Sequence, residues 1–266
     1  MNPKKVWYLC CKLIFMKGAF RIGSYRNIGV YIHWTFLILL IWVGGNSFFD
    51  GSSVNDIAKE IGFILMVFLC VLLHEFGHAL SAARYGIPTK DITLLPIGGL
   101  ARLEKIPEKP WHELVVAIAG PAVNVGIIII LAAVMYFGKG LPLGFDMLEM
   151  ESNSLLVNLL LVNISLVVFN MIPAFPMDGG RILRSLLAMK LSKVKATKIA
   201  VRIGQVISIG FVILGWLYSP MLILIGIFIF FGAKAELKYT IEAEQRAQLL
   251  FVNYELLNVE KENREN

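Results

Sequence analysis

Val71-Leu72-Leu73-His74-Glu75-Phe76-Gly77-His78-Ala79-Leu80 closes an apolar run that begins near Ile61, and its reading decides the fold. On a helix, residues four apart lie one above the other. His74 and His78 therefore present two imidazoles to one point, while Glu75 lies on the flank beside them. Two neutral imidazoles supply half of a tetrahedral Zn²⁺ site, and a carboxylate outside the ligand set can take the proton from an attacking water. The residues leading in, Phe63-Ile-Leu-Met-Val-Phe-Leu-Cys-Val-Leu-Leu73, carry no charge. Such a helix belongs in a bilayer, not in a soluble core.

Composition agrees. The chain has 266 residues, 57% of them hydrophobic and only 17% charged, with a mean hydropathy of +0.71, whereas soluble domains run near about 25% charged. It reads as an integral protein of the cell membrane. The net charge of +6 is spread over loops instead of forming one patch, so no nucleic-acid partner is implied. Cys10, Cys11 and Cys70 have no metal-type spacing, and Cys70, one turn before His74, reads as a plain membrane-helix cysteine. No cleavable signal peptide is expected.

Residues 1–29 carry Lys4, Lys5, Lys12, Lys17, Arg21 and Arg26 without an acid, interleaved with aromatic and aliphatic residues. This predicts a basic segment on an anionic, cytoplasmic membrane surface. Spans follow at about 30–45, 57–85, 114–137, 155–171, 199–217 and from 221 through 231. Lys and Arg collect on alternate connections, which places both termini in the cytoplasm. His33 beside Trp34 reads as an interfacial anchor, and Arg181 and Arg184 as part of the positive inner loop. Between Gly86 and His112, six proline and glycine breakers frame the apolar stretch 91–104, folded about Gly98-Gly99. It is too short to span and reads as a hairpin or re-entrant loop packed inside the bundle. The expectation is an all-α membrane protein: six transmembrane helices and a re-entrant, β-hairpin-like segment. Its parts are the interfacial segment 1–29, a six-span domain 30–235 and a cytoplasmic tail 236–266.

In this topology the second and fourth spans both run inward, so His74, His78 and Asp178 sit at a similar depth. Asp178 follows Pro173 and Pro176 and precedes Gly179-Gly180, so the helix must break there and its carboxylate can turn inward as a third ligand. Ionisable groups inside a membrane cost roughly 2.5–3.5 kcal/mol each on insertion scales, and metal binding gives a reason to carry them.

Four ordered segments carry a family resemblance: His74-Glu75-Phe76-Gly77-His78, Pro96-Ile-Gly-Gly99, Ala119-Gly-Pro-Ala-Val-Asn124, and Asn170 through Gly180. Together they resemble the site-2 protease family of intramembrane zinc metalloproteases, in the branch that includes the sporulation stage IV protease. The resemblance implies one Zn²⁺ per chain held by His74, His78 and Asp178, with Glu75 as general base. It also implies a membrane-embedded or membrane-tethered protein substrate, cut near the cytoplasmic side of the bilayer in regulated proteolysis. Many members of that branch carry CBS domains after the last span, and the tail here is too short for one. Asn124 and Asn170 are candidates to hydrogen-bond the oxyanion or the substrate backbone, with helix packing or capping as the alternative. Gly98 and Gly99 belong to the hairpin, which either docks an unwound substrate at its edge or plugs the bundle. Two other functions stay open: a membrane metal transporter, for which an internal repeat is missing, and a non-catalytic relative that binds membrane proteins, against which Glu75 argues.

Overall fold

The computed structural model describes residues 18–96, 98–103, 107, 109–139 and 155–265. The basic segment as far as residue 17, and the connection 140–154 between the third and fourth expected spans, lie outside the described residues. In chain order the elements are β1 (Ala19–Tyr25), β2 (Ile28–His33), α1 (Trp34–Phe49), α2 (Val54–Arg84), β3 (Thr89–Leu95) and β4 (Gly98–Leu103). Then come α3 (Pro110–Lys139), α4 (Leu155–Met171), α5 (Asp178–Ala188), α6 (Lys193–Leu217) and α7 (Pro220–Glu265).

The all-α expectation is corrected here, because four strands form one sheet in the order β1-β2-β3-β4. Residues 19–33, read as interfacial segment and start of a span, are a hairpin. Arg26 and Asn27 both have positive φ (48° and 66°), as a two-residue type I′ turn requires, and they pair Tyr25 with Ile28. That turn, with Gly23 and Gly29, punctuates the segment at intervals too short for a membrane helix. The strand ladder instead satisfies the backbone. β2 pairs parallel to β3, with α1 and α2 as the crossover that a parallel connection needs. The expected hairpin is present as antiparallel β3–β4 and is one half of this sheet.

Among the described residues, four helices are long and apolar enough to cross a membrane: Val54–Arg84, Pro110–Phe137, Lys193–Leu217 and Pro220–Arg246. Where the other two spans are expected stand the shorter apolar helices Trp34–Phe49 and Leu155–Met171. The expected polar tail is, as far as Glu265, a continuation of α7.

Contact density divides the chain into two compact units, one comprising Met1–Glu108 and Val115–Phe169, the other Lys109–Leu114 and Asn170–Asn266. In the first, the sheet packs on α2 through Ile28, Ile92 and Ala79, with Leu72, Phe76 and Leu80 around them. Ser53 caps α2 by accepting from the Asp56 N–H. At the other end Gly86, with φ of +71°, closes the helix by donating to Ala83 while Ile87 donates to Ala82. This pattern satisfies the last carbonyls and stops α2 just after its histidines. His33 is not a wet anchor: it is buried and caps α1, accepting from the Thr35 N–H at 3.4 Å, while Trp34 is exposed.

In the second unit Phe175, Ala200, Val201 and Ala233 form the apolar core. Arg184 sits in it, 2% exposed, contrary to the loop position read from the sequence. Its guanidinium donates to Glu113 at 2.8 Å and to Glu236 at 2.5 Å, and lies 5.0 Å from the Phe175 ring centre. Burial acts to lower its pKa, and the two carboxylates outweigh burial, so the net direction is upward. Removing one member of such a cluster strands the rest. Arg184→Met is therefore expected to destabilise the protein by roughly 3–5 kcal/mol. The check is thermal unfolding in detergent, with Gly23→Ala, where nothing lies within 4 Å of the added methyl, as the unaffected control.

Candidate metal centre

His74 and His78, buried on successive turns of α2, stand with Nε2 atoms 3.1 Å apart and rings nearly perpendicular. Their tautomers follow from the partners of the other nitrogen. The Leu159 carbonyl can only accept, so the group 2.8 Å from it is the amide nitrogen of Asn163. Asn163 Oδ1 then accepts from Asn124 Nδ2 at 2.8 Å, which turns Asn124 Oδ1 toward His74 Nδ1 at 2.6 Å. Only a protonated Nδ1 fits there. The Val116 carbonyl, 2.7 Å from His78 Nδ1, fixes the second ring in the same way. Pro121, one turn further along α3, has no N–H to give, which loosens the helical ladder on this face.

Two neutral imidazoles so held carry their lone pairs on Nε2 and point them at each other. At 3.1 Å two lone pairs repel unless a positive charge, a proton or a metal ion, lies between them. The surroundings leave room for an ion. A Cβ on Gly120 would stand 2.2 Å from His78 Nε2 and 2.7 Å from His74 Nε2, so only glycine keeps this face open. Gly77 does the same work between helices, since a Cβ there would meet the Ala119 carbonyl oxygen at 2.6 Å. The donor chemistry and the space both fit a metal such as zinc.

Glu75, on the flank of the pair, is half-buried, and its Oε2 accepts from the Ala101 N–H of β4 at 3.2 Å. Gly99 lies against the same side chain, where a Cβ would come within 2.6 Å of Glu75 Cγ. The hairpin glycines thus divide: Gly99 is brought to the carboxylate, whereas Gly98, with φ of +136° and nothing within 4 Å, opens β4 opposite Leu95, so the chain reverses just before the Gly-Gly pair and not about it. Asn124 is fully buried, and its side chain is committed to His74 and Asn163. Asn163, its partner, is absent from the residues singled out in the sequence. Its one signal there is an amide in the middle of the largely apolar helix Leu155–Met171, one of three with Asn158 and Asn170.

Asp178 and Asn170 belong to the second unit. Asp178 is the first residue of α5, buried, at the helix end where the dipole favours negative charge. The loop before it folds back onto two glycines. A Cβ on Gly179 would meet the Ile172 carbonyl oxygen at 2.2 Å, and one on Gly180 the Phe175 nitrogen at 2.6 Å. Pro176, which follows a cis peptide bond, rests on Gly232 of α7. Asn170 is half-buried in the last turn of α4.

The sequence model of Peptidase family M50 matches residues 62–211. A zinc metalloprotease of Methanocaldococcus jannaschii is 40% identical over 222 residues, covering 83% of this chain and 61% of the relative. The stage IV sporulation protein FB of Bacillus subtilis is 26% identical over 149 residues, 56% of this chain and 48% of the relative. Among solved structures, the site-2 protease from Methanocaldococcus jannaschii matches with a TM-score of 0.58 and 37% identity, covering 82% of this chain and 94% of that one. The chain spans about half to three-fifths of the length of the two sequence relatives.

If the amide line sets the histidine geometry, Asn124→Ala is expected to weaken zinc retention by about 10–100-fold, the usual effect of removing an outer-shell partner. Asn163→Ala should act in the same direction, and Gly120→Val should abolish retention. Competitive zinc titration of purified protein against a chromophoric chelator reads all three. Unchanged retention in Asn124→Ala would contradict the assignment.

Proposed function

The chain belongs to peptidase family M50, and from that membership we propose that it is a zinc-dependent intramembrane endopeptidase. On this reading it cuts a membrane-embedded or membrane-tethered protein near the cytoplasmic face, as a six-span protein of the cell membrane with both termini inside. His74, His78 and Asp178, all buried, are a donor set suited to one metal ion. Two imidazoles and a carboxylate leave a fourth position for water, as catalytic zinc sites do. When bound, zinc supplies Lewis acidity and makes water a nucleophile near neutral pH.

The remaining chemistry belongs to the chain. Glu75 takes the proton from the water that adds to the scissile carbonyl and hands it to the departing nitrogen as the C–N bond breaks, which yields a carboxylate and an amine. The Ala101 N–H holds one oxygen of Glu75 and leaves the other to receive that proton. Because this N–H points to Glu75 and not to β3, the outer edge of β4 runs past the carboxylate. An unwound substrate segment adding to that edge as a further strand would lie beside the base. Asn170 is assigned to a hydrogen bond with the substrate backbone.

The observation that carries the reading is the pair of Nε2 atoms 3.1 Å apart, with Glu75 adjacent in sequence. Neither a transporter nor a binding protein needs a carboxylate poised there. Glu75→Gln is expected to keep its zinc while cleavage of tagged single-span membrane proteins falls by about 10²–10⁴-fold, the range for loss of a general base. Co-expression followed by blotting for a shortened cytoplasmic fragment gives the result. Equal fragment from both forms would exclude this role for Glu75.

A further inference from the structure

Away from the histidines, α6 and α7 flank an open groove of about 670 Å³ in the second unit. Lys198 and Arg202 are one turn apart on α6, Lys234 and Lys238 one turn apart on α7, and all four line it. Glu242 is the one carboxylate among the lining residues, and it stands 4.0 Å from Lys238 in an exposed pair that neutralises little. Four cations against one anion leave the groove with three net positive charges. Placing like charges at i,i+4 twice over does not stabilise either helix. The arrangement therefore asks for an anion.

The depth of the groove says which kind. Beyond Arg202 no charged residue occurs on α6 to its end at Leu217, and none occurs on α7 from Pro220 to Ala233. Arg202 and Lys234 are thus the first charges at the same end of two paired apolar helices, at the level of lipid phosphates, with Lys198 and Lys238 one turn further out. Immediately along the same helix pair lies a second crease of about 190 Å³, lined by Ile209, Ile213, Gly226, Ile227 and Phe230. A Cβ on Gly226 would stand 2.8 Å from the Ser208 carbonyl oxygen, so the crease is floored by backbone. Phe230 joins the two parts, since it lines the crease while the Lys234 ammonium lies 4.7 Å from its ring centre at the mouth of the groove. A positive groove opening onto an apolar crease matches a phosphate with an acyl chain attached.

We propose that the α6–α7 groove is a binding site for an anionic membrane phospholipid, with the headgroup phosphate on Lys198, Arg202, Lys234 and Lys238 and one acyl chain along the crease. Charge topology accounts for basic residues on these loops but not for their convergence on one groove. A free phosphate would use only the groove, and an acidic peptide would leave the crease empty.

The test is native mass spectrometry of the delipidated full chain, titrated with phosphatidylglycerol and with phosphatidylcholine of the same acyl chains. Wild type should prefer the anionic lipid by at least about tenfold. In Lys198→Gln/Arg202→Gln/Lys234→Gln/Lys238→Gln the preference should fall to within about twofold. The exposed pair Lys234→Gln/Lys238→Gln should give an intermediate loss and serves if the fourfold variant does not fold. An undiminished preference in both variants, or none in wild type, would overturn the proposal. Glycerol phosphate or polyglutamate added in the same concentration range should leave bound lipid in place. Displacement by glycerol phosphate would assign the groove to a free phosphate, and displacement by polyglutamate to an acidic protein segment.

Discussion

The hydrogen bond between Asn124 and His74 is the constraint on which the site depends. It is the last link of a line that begins at a main-chain carbonyl, that of Leu159, and passes through Asn163. A carbonyl cannot reverse its polarity, so each amide along the line has one orientation, and His74 has one tautomer. The Val116 carbonyl imposes the same tautomer on His78. Both lone pairs are thereby fixed before any ion arrives. In a buried setting this matters more than in water, because a misplaced amide would leave a polar group without a partner at about 1–3 kcal/mol.

Glycine is the second constraint. Gly77, Gly99 and Gly120 stand where a methyl group would strike, respectively, the Ala119 carbonyl, Glu75 and the two imidazoles. Gly179 and Gly180 do the same for the loop that delivers Asp178. Small residues let helices and loops approach to backbone distance where lipid supplies no hydrophobic drive between them. The functional side chains are held by this closeness, and within the second unit the buried Arg184 cluster ties Glu113, α5 and α7 together.

Much of this was legible in the sequence. Histidines four apart in an apolar run require a helix and a shared face, and the proline and glycine around Asp178 require a break there. The Gly-Gly hairpin was also readable as an element. What escaped was decided by partners distant in sequence. Residues 19–33 look like interface and span until β3 is available to pair with β2. Arg184 looks like an ordinary positive loop residue until Glu113, 71 positions away, closes on it. Asn163 looks like helix-packing glue, because its meaning lies in which amide faces which carbonyl, and spacing along one helix cannot express that. His33, read as an interfacial anchor beside Trp34, is buried, and its ring caps α1.

The most direct measurement of the central claim is X-ray absorption at the zinc edge on the purified full chain. Nitrogen and oxygen scatterers only are expected, with the multiple-scattering signature of two imidazoles, and loss of that signature in His78→Ala. A sulfur scatterer, as Cys70 one turn from His74 would give, or a spectrum unchanged by His78→Ala, would contradict it.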